Sequence, residues 1–131
     1  MEQNIKSSIV IDNYFYKNRL FNLNDNISNR DNCLYPYISL KEMFSQKNID
    51  LSTYDINIIE DSKIVIYNDM PEVLPNKEDI EKSYLLIFES ELIKPENWDL
   101  NNHKYFNKIF TWDDKIIDNK KYFKINFSHL I

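Results

Sequence analysis

The chain has 131 residues, of which 43% are hydrophobic and 15% aromatic, which indicates one folded domain rather than a disordered tail. Its net charge of −5, with acidic and basic residues interspersed, argues against a nucleic acid or an anionic membrane surface as partner. The chain contains no glycine, which excludes the glycine-rich loops that bind phosphates in many nucleotide-binding proteins.

The first part of the chain predicts one strand and a long loop. Residues 5–11 (IKSSIVI) are rich in β-branched side chains and end at an Asp-Asn turn pair, as expected of a strand. Residues 14–31 show no sustained hydrophobic period, so we expect a loop that contains a short strand at residues 19–21. The single cysteine, Cys33, lies in this polar region, and we interpret it as an ordinary half-buried residue rather than a nucleophile or metal ligand.

One longer helix follows. Residues 34–37 contain Pro36, which predicts an extended segment. Ser39 and Glu42 have the spacing of a capping box, so we expect a helix that starts at Ser39 and ends near residues 47–48. Residues 49–54 then lead to the next edge of a sheet.

Three short apolar runs, at residues 63–67, 84–88 and 108–112, predict adjacent buried strands. The remaining segments predict a short helix at 77–83, a turn from Pro95, a helical turn at 101–106, a helix or turn at 116–121 and a last strand at 122–127. Strands alternating with short helices indicate a Rossmann-like, three-layer α/β domain with a mostly parallel sheet. We expect residues 1–131 to form this single domain.

Acidic residues follow each of the three runs: Asp69, then Glu89 with Ser90 and Glu91, then the pair at 113–114. Ligands of parallel α/β sheets bind at the carboxyl ends of the strands. Glu89 directly follows a rigid strand, and a fixed, partly desolvated carboxylate there could take a proton from a sugar hydroxyl. Alternatively, Glu89 caps the following turn or faces water, and the same alternatives hold more strongly for Glu91 and Asp69.

The aromatic and histidine side chains add few candidates. Trp98 lies in a loop where its ring could stack on a sugar, whereas Trp112 lies in a strand and is expected to be a core residue. We expect His103 on the surface of a helix and His129 in the tail, without the spacing of metal ligands. No metal site is predicted.

Residues 84–127 carry the motifs YLLIFES, KPENWDLNNHKYFNKIFTWDD and DNKKYFKINF in that order. This stretch resembles the amino-terminal, acceptor-side domain of the α-1,3-fucosyltransferases, glycosyltransferase family ten. The earlier segments LSTYDIN and KIVIYNDMP fit the same domain, so that the resemblance covers most of residues 38–127.

The resemblance implies one half of a two-domain, inverting glycosyltransferase of glycan or lipopolysaccharide biosynthesis. Glu89 matches the family's proposed catalytic base and Ser90 its following serine, whereas Glu91 replaces the family's proline, a departure at the local turn. We take Glu89 as the candidate catalytic residue. The candidate acceptor-binding residues are Asp69, Ser90, Glu91 and Trp98.

The family's donor-binding domain is absent from this chain, so we expect no cofactor here and GDP-fucose as donor substrate only if the missing half is present. The expected partners are a glycan acceptor and a donor domain or partner chain, with no nucleic acid and no transmembrane segment. We expect a cytoplasmic location, either free or peripheral at the inner face of the membrane. The alternative is a non-catalytic, flavodoxin-like α/β domain that binds a partner protein.

Overall fold

The computed structural model describes residues 5–11, 16–21 and 35–124. Within them, the chain divides into two compact units, one up to Lys63 and the other from Ile64 onward. Cys33 and His129 lie outside the described residues, as do most of the predicted loop at 14–31 and the end of the strand predicted at 122–127.

The first unit contains two parallel strands and a helix. Strand β1 (Ile5–Val10) pairs with strand β2 (Ile49–Thr53) in the register Ser7↔Leu51, and helix α1 (Tyr35–Gln46) packs against β2. The strand predicted at residues 5–11 is confirmed. Among the described residues of this unit, the buried apolar side chains are Ile9, Leu20 and Leu51.

Helix α1 begins earlier than the sequence predicts. It starts at Tyr35, so Ser39 lies inside the helix instead of capping it, and the extended segment predicted at 34–37 is wrong for the described residues 35–37. Proline is compatible with the first turn of a helix, because the amide hydrogen that it lacks would have no partner there. The preference of the residue before proline for extended backbone, on which the prediction for residues 34–37 relied, is therefore overridden by the first turn of the helix.

The short strand predicted at residues 19–21 is also wrong. Arg19–Phe21 forms a 3-10 helix, preceded by Lys17 and Asn18 in the left-handed region with φ angles of 59° and 60°. The side chain of Asn18 accepts a hydrogen bond from the backbone amide of Thr53 (2.8 Å). The backbone amide of Asn18 donates to the Thr53 hydroxyl (3.0 Å). These bonds fix the segment against the end of β2 as a turn.

The second unit contains four parallel strands in the order β3-β4-β5-β6. They are β3 (Ile64–Asn68), β4 (Ser83–Ile87), β5 (Lys108–Thr111) and β6 (Tyr122–Lys124). The connections contain the 3-10 helices Lys77–Lys82, Pro95–Trp98 and Asp114–Ile116 and the short helix α2 (Leu100–His103). The predicted adjacency of the runs at 63–67, 84–88 and 108–112 is confirmed.

The core of the second unit is built from the apolar side chains of these strands. Leu85, Ile87 and Ile109 are fully buried, and the Tyr67 ring packs edge-to-face against Phe106 with the ring centroids 5.4 Å apart. Burial raises the pKa of the Tyr67 hydroxyl to about 12. Tyr67 is therefore an un-ionised core residue at neutral pH.

Several residues with a left-handed backbone conformation occur in this chain, and none of them is glycine. Asn48 (φ 61°) follows α1, Asp69 (φ 63°) follows β3 and Asn119 (φ 58°) precedes β6. Asparagine and aspartate tolerate this region better than other residues with a Cβ atom, because their short side chains bond to nearby backbone. Next to Asn119, the carboxylate of Asp118 accepts hydrogen bonds from the amides of residues 120–122, which lowers its pKa to about 2.

Each of the two units is α/β in the described residues: its paired strands are parallel, and helices lie in the connections. The predicted Rossmann-like fold class is confirmed. The extent of the single domain, residues 1–131, stays a prediction. Among the described helices, none has the length and apolar content needed to cross a bilayer.

Candidate functional site

The predicted acidic residues lie at one edge of the second unit. Asp69 follows β3, Glu89 stands two residues past the end of β4, and Asp113 stands two residues past the end of β5. These strands are adjacent and parallel, with Asn68 opposite Leu86 and Ile87 opposite Thr111. The carboxyl ends of the three strands therefore bring these segments to the same edge, as the sequence predicts.

Asp69 is a buried residue that holds the end of β4. Its Oδ1 atom accepts hydrogen bonds from the amides of Phe88 (2.7 Å) and Glu89 (3.1 Å), and from Nδ2 of Asn97 (2.8 Å). Its own amide donates to the carbonyl of Leu86 (2.7 Å). The structure thus places this predicted acceptor-binding residue within the backbone framework of the site.

Asn97 is fully buried in the 3-10 helix Pro95–Trp98, and it was not among the residues predicted for the site. Its Oδ1 accepts from the amide of Met70 (2.6 Å), and its Nδ2 donates to Asp69 and to the Glu89 carbonyl (3.2 Å). The side chain therefore joins the loop after β3, the loop after β4 and its own 3-10 helix. An isolated asparagine in a turn carries no sequence signal for this role.

Trp98 and Trp112 lie together, although only Trp98 was predicted outside the core. Their rings meet edge-to-face with centroids 5.6 Å apart. The indole nitrogen of Trp98 donates to the carbonyl of Glu89 (3.1 Å), and that of Trp112 donates to the carbonyl of Phe88 (3.1 Å). Trp112 is 43% exposed, so its prediction as a core residue is wrong: its ring packs over the strand ends rather than into the sheet.

These contacts bond every main-chain polar group of Phe88–Glu89 to a side chain. Asp69 accepts from both amides, Trp112 donates to the first carbonyl, and Trp98 and Asn97 donate to the second. We call these four side chains the strand-end cradle. They fix the backbone of Glu89 where the sheet no longer supplies hydrogen bonds.

The Glu89 side chain is exposed on this fixed backbone, so the expected partial desolvation of its carboxylate is not found. Ser90 is half-buried, and its carbonyl accepts from the amides of Ile93 (3.1 Å) and Lys94 (2.8 Å). Glu91 lies in this turn with its side chain exposed. The turn thus forms with glutamate at the position where the resembling family has proline.

His103 is buried, and its prediction as a surface residue is wrong. Its Nε2 lies 2.7 Å from the carbonyl of Asn97, which can only accept, so Nε2 carries the proton and Nδ1 accepts from the Tyr122 hydroxyl (2.9 Å). Burial lowers the pKa of His103 below its ordinary value of 6.5, opposed by the hydrogen bond to the Asn97 carbonyl. The neutral imidazole thus holds the main chain of Asn97 through a hydrogen bond to its carbonyl.

Both carboxylates of the acidic pair after β5 bond to neighbouring residues. Asp113 accepts from the amide of Lys115 (3.0 Å) and so caps the 3-10 helix Asp114–Ile116. Asp114 forms an exposed ion pair with Lys124 (2.7 Å), whose ammonium also donates to the carbonyl of Trp112 (2.8 Å). These contacts tie the Trp112 backbone to β6.

A second polar cluster, not predicted from the sequence, lies in the first unit. Asp50 on β2 accepts from Lys41 (3.4 Å) and from Asn57 (3.1 Å). Burial raises the pKa of Asp50, but the hydrogen bond from Asn57 and the charge of Lys41 outweigh it and leave the pKa below its ordinary value. Because these side chains satisfy one another, the cluster attaches α1 to β2 rather than presenting a free charge.

Within residues 5–11, 16–21 and 35–124, no three His, Cys, Asp or Glu side chains are grouped so that they could hold a metal ion. The chain matches no protein-family model, no curated protein and no solved structure. The resemblance to the fucosyltransferases therefore rests on the sequence motifs alone.

Proposed function

We propose that the chain is the acceptor-side half of an inverting fucosyltransferase and binds a glycan over the strand-end cradle. One observation carries the proposal: an exposed carboxylate, Glu89, stands on a backbone fixed by Trp98 and Trp112, whose rings are partly exposed beside it. Aromatic faces stack on the C–H faces of sugar rings, and a carboxylate accepts hydrogen bonds from their hydroxyl groups. This combination suits a saccharide.

In the proposed reaction, the Glu89 carboxylate accepts the proton of an acceptor hydroxyl. The hydroxyl oxygen forms a bond to the anomeric carbon of fucose as the bond from that carbon to the diphosphate breaks, and GDP leaves with the bonding electrons. The fixed backbone of Phe88–Glu89 would hold the base in position before the acceptor binds, which lowers the entropic cost of reaching the reactive geometry. A donor-binding half supplies the site for GDP-fucose.

The isolated chain is expected to transfer no fucose and to bind GDP-fucose no better than at about millimolar concentration, because it has no glycine-rich loop for a diphosphate. Calorimetric titration of the chain with GDP-fucose measures this. Micromolar binding by the chain alone would place the donor site here and contradict the division into two halves.

Turnover by the chain joined to a donor-binding half tests the role of Glu89. Glu89→Gln keeps the shape and removes the basicity, so kcat is expected to fall by about 10²–10⁴ with little change in the acceptor KM. Glu81→Gln is the matched control, since this exposed glutamate lies in the 3-10 helix before β4, at the opposite end of the strand from Glu89. A Glu89→Gln enzyme that turns over at the wild-type rate would remove Glu89 as the base.

The second candidate function is a non-catalytic domain that binds a partner protein. It is favoured by Val73 and Leu92, which are 81% and 95% exposed in the loops that follow β3 and β4. The genomic sequence that follows codon 131 distinguishes the two functions. A reading frame that continues into a donor-binding domain supports the transferase, whereas a stop codon beside unrelated genes favours the interaction domain.

A further inference from the structure

The cradle residues are not equivalent in what they connect. The Phe88–Glu89 backbone forms hydrogen bonds with the side chains of Asp69, Trp98 and Trp112. Asn97 alone among them also bonds the loop after β3, through the Met70 amide, while it bonds Asp69 and the Glu89 carbonyl.

We propose that Asn97 is a positioning residue: it fixes Asp69, the Glu89 backbone and the adjacent Trp98 in one arrangement before any ligand binds. The inference rests on the proposed function for its consequence, since the reaction at Glu89 is what this arrangement would serve. Asn97 itself is fully buried and does not reach a ligand.

The chemistry of the position requires an amide. One end must accept, because it faces the Met70 N–H at 2.6 Å, and the other must donate, because it faces the Asp69 carboxylate and the Glu89 carbonyl. Aspartate at position 97 would set a second carboxylate against Asp69, and alanine would leave the buried Met70 amide, the buried Asp69 carboxylate and the Glu89 carbonyl without this partner. Asparagine satisfies both ends at once.

The main chain of Asn97 is hydrogen-bonded as well as its side chain. Its carbonyl accepts from Nε2 of His103 (2.7 Å), and its amide donates to the carbonyl of Lys94 (3.1 Å). His103 is in turn oriented by the Tyr122 hydroxyl on β6. Asn97 therefore has both its side chain and its backbone fixed, which a residue that positions others requires.

Hydrogen exchange in the full chain tests this without any ligand. Trp98 and Trp112 are the only two tryptophans, so their indole N–H signals in NMR spectra report on the cradle alone. In Asn97→Ala, exchange of the Trp98 indole and of the Glu89 amide is expected to accelerate at least about tenfold more than exchange of the Leu85 amide in the core of β4, the factor for losing about one net hydrogen bond locally.

Two further variants make the result interpretable. Asn107→Ala removes a comparable bond, from Asn107 Nδ2 to the Glu81 carbonyl (2.6 Å), at the opposite end of the strands, and should leave cradle exchange unchanged. Asn97→Ser keeps a polar side chain without placing a second carboxylate against Asp69, so it serves if the alanine variant does not fold, with the same local acceleration expected. Equal acceleration at Glu89 and Leu85 in the Asn97 variants would show general destabilisation and overturn the proposal.

A kinetic measurement separates positioning from the proposed function. In the chain joined to a donor-binding half, Asn97→Ala is expected to lower kcat about 10–100-fold with the pH profile of kcat unchanged, because the base stays the same and only its placement is lost. An unchanged kcat would overturn the positioning role. Absence of turnover in the unaltered joined enzyme would contradict the proposed function, while the exchange rates would still decide the role of Asn97.

Discussion

Replacement of Asp69 tests whether the cradle is a structural unit. Asp69→Ala removes an acceptor that takes two backbone amides and the Asn97 side chain. Each such bond contributes about 1 kcal/mol net. We therefore expect the free energy of unfolding to fall by about 3 kcal/mol in Asp69→Ala.

The left-handed backbone of Asp69 (φ 63°) makes a second variant informative. Glycine loses the same hydrogen bonds as alanine but adopts this conformation without the steric cost of about 1 kcal/mol. Asp69→Gly should therefore be more stable than Asp69→Ala, with a loss of about 2 kcal/mol. Asp69→Asn keeps one oxygen acceptor and is expected to lose only about 1 kcal/mol.

Urea unfolding followed by tryptophan fluorescence is the assay, because both tryptophans lie in the unit that contains Asp69. Asp114→Ala is the matched control: it removes an aspartate with an 82% exposed side chain and a surface ion pair, and should change stability by no more than about 0.5 kcal/mol. A loss below about 0.5 kcal/mol in Asp69→Ala would refute the hydrogen-bond argument. Equal stability of the alanine and glycine variants would refute the argument from φ.

The other predictions concern the histidine and the core. The lowered pKa of His103 means that the folded state binds its proton less readily than the unfolded state, so stability is complete above pH 6.5 and declines as pH falls from there towards the lowered pKa. Denaturant unfolding at several pH values should show a shallower decline in His103→Gln; an equal decline would assign the pH dependence to other groups. Leu85→Ala in the core should lower the free energy of unfolding by about 2–5 kcal/mol and Leu92→Ala on the surface by less than about 0.5 kcal/mol, measured by the same unfolding curves, and similar losses would contradict the burial of β4.

The central strands were predictable from the sequence because each is a short apolar run between polar residues. The runs at 63–67, 84–88 and 108–112 correspond to β3, β4 and β5 to within about one residue at each end. The start of α1 was not predictable in the same way. Proline is compatible both with an extended segment and with the first turn of a helix, and only tertiary packing decides between them.

The candidate site was predicted in part. The rule that ligands bind at the carboxyl ends of parallel strands placed Asp69 and Glu89 at one edge. It did not find Asn97 or His103, because their roles depend on hydrogen bonds between segments that are distant in sequence, Asn97 to Met70 and His103 to Tyr122. Trp112 was predicted as a core residue because tryptophan in a strand is often buried, whereas its position past the end of β5 makes it part of the cradle.

Titration of the full chain with a neutral oligosaccharide such as N-acetyllactosamine, followed by the indole N–H signals in NMR spectra, tests the central claim most directly. A glycan over the cradle should shift the signals of both Trp98 and Trp112 saturably with a single dissociation constant, and glycerol at equal concentration should shift neither. Trp98→Phe should weaken the binding seen at Trp112, because the two rings are in contact. Indole signals that stay unchanged up to saturating glycan would contradict the assignment of this edge as an acceptor site.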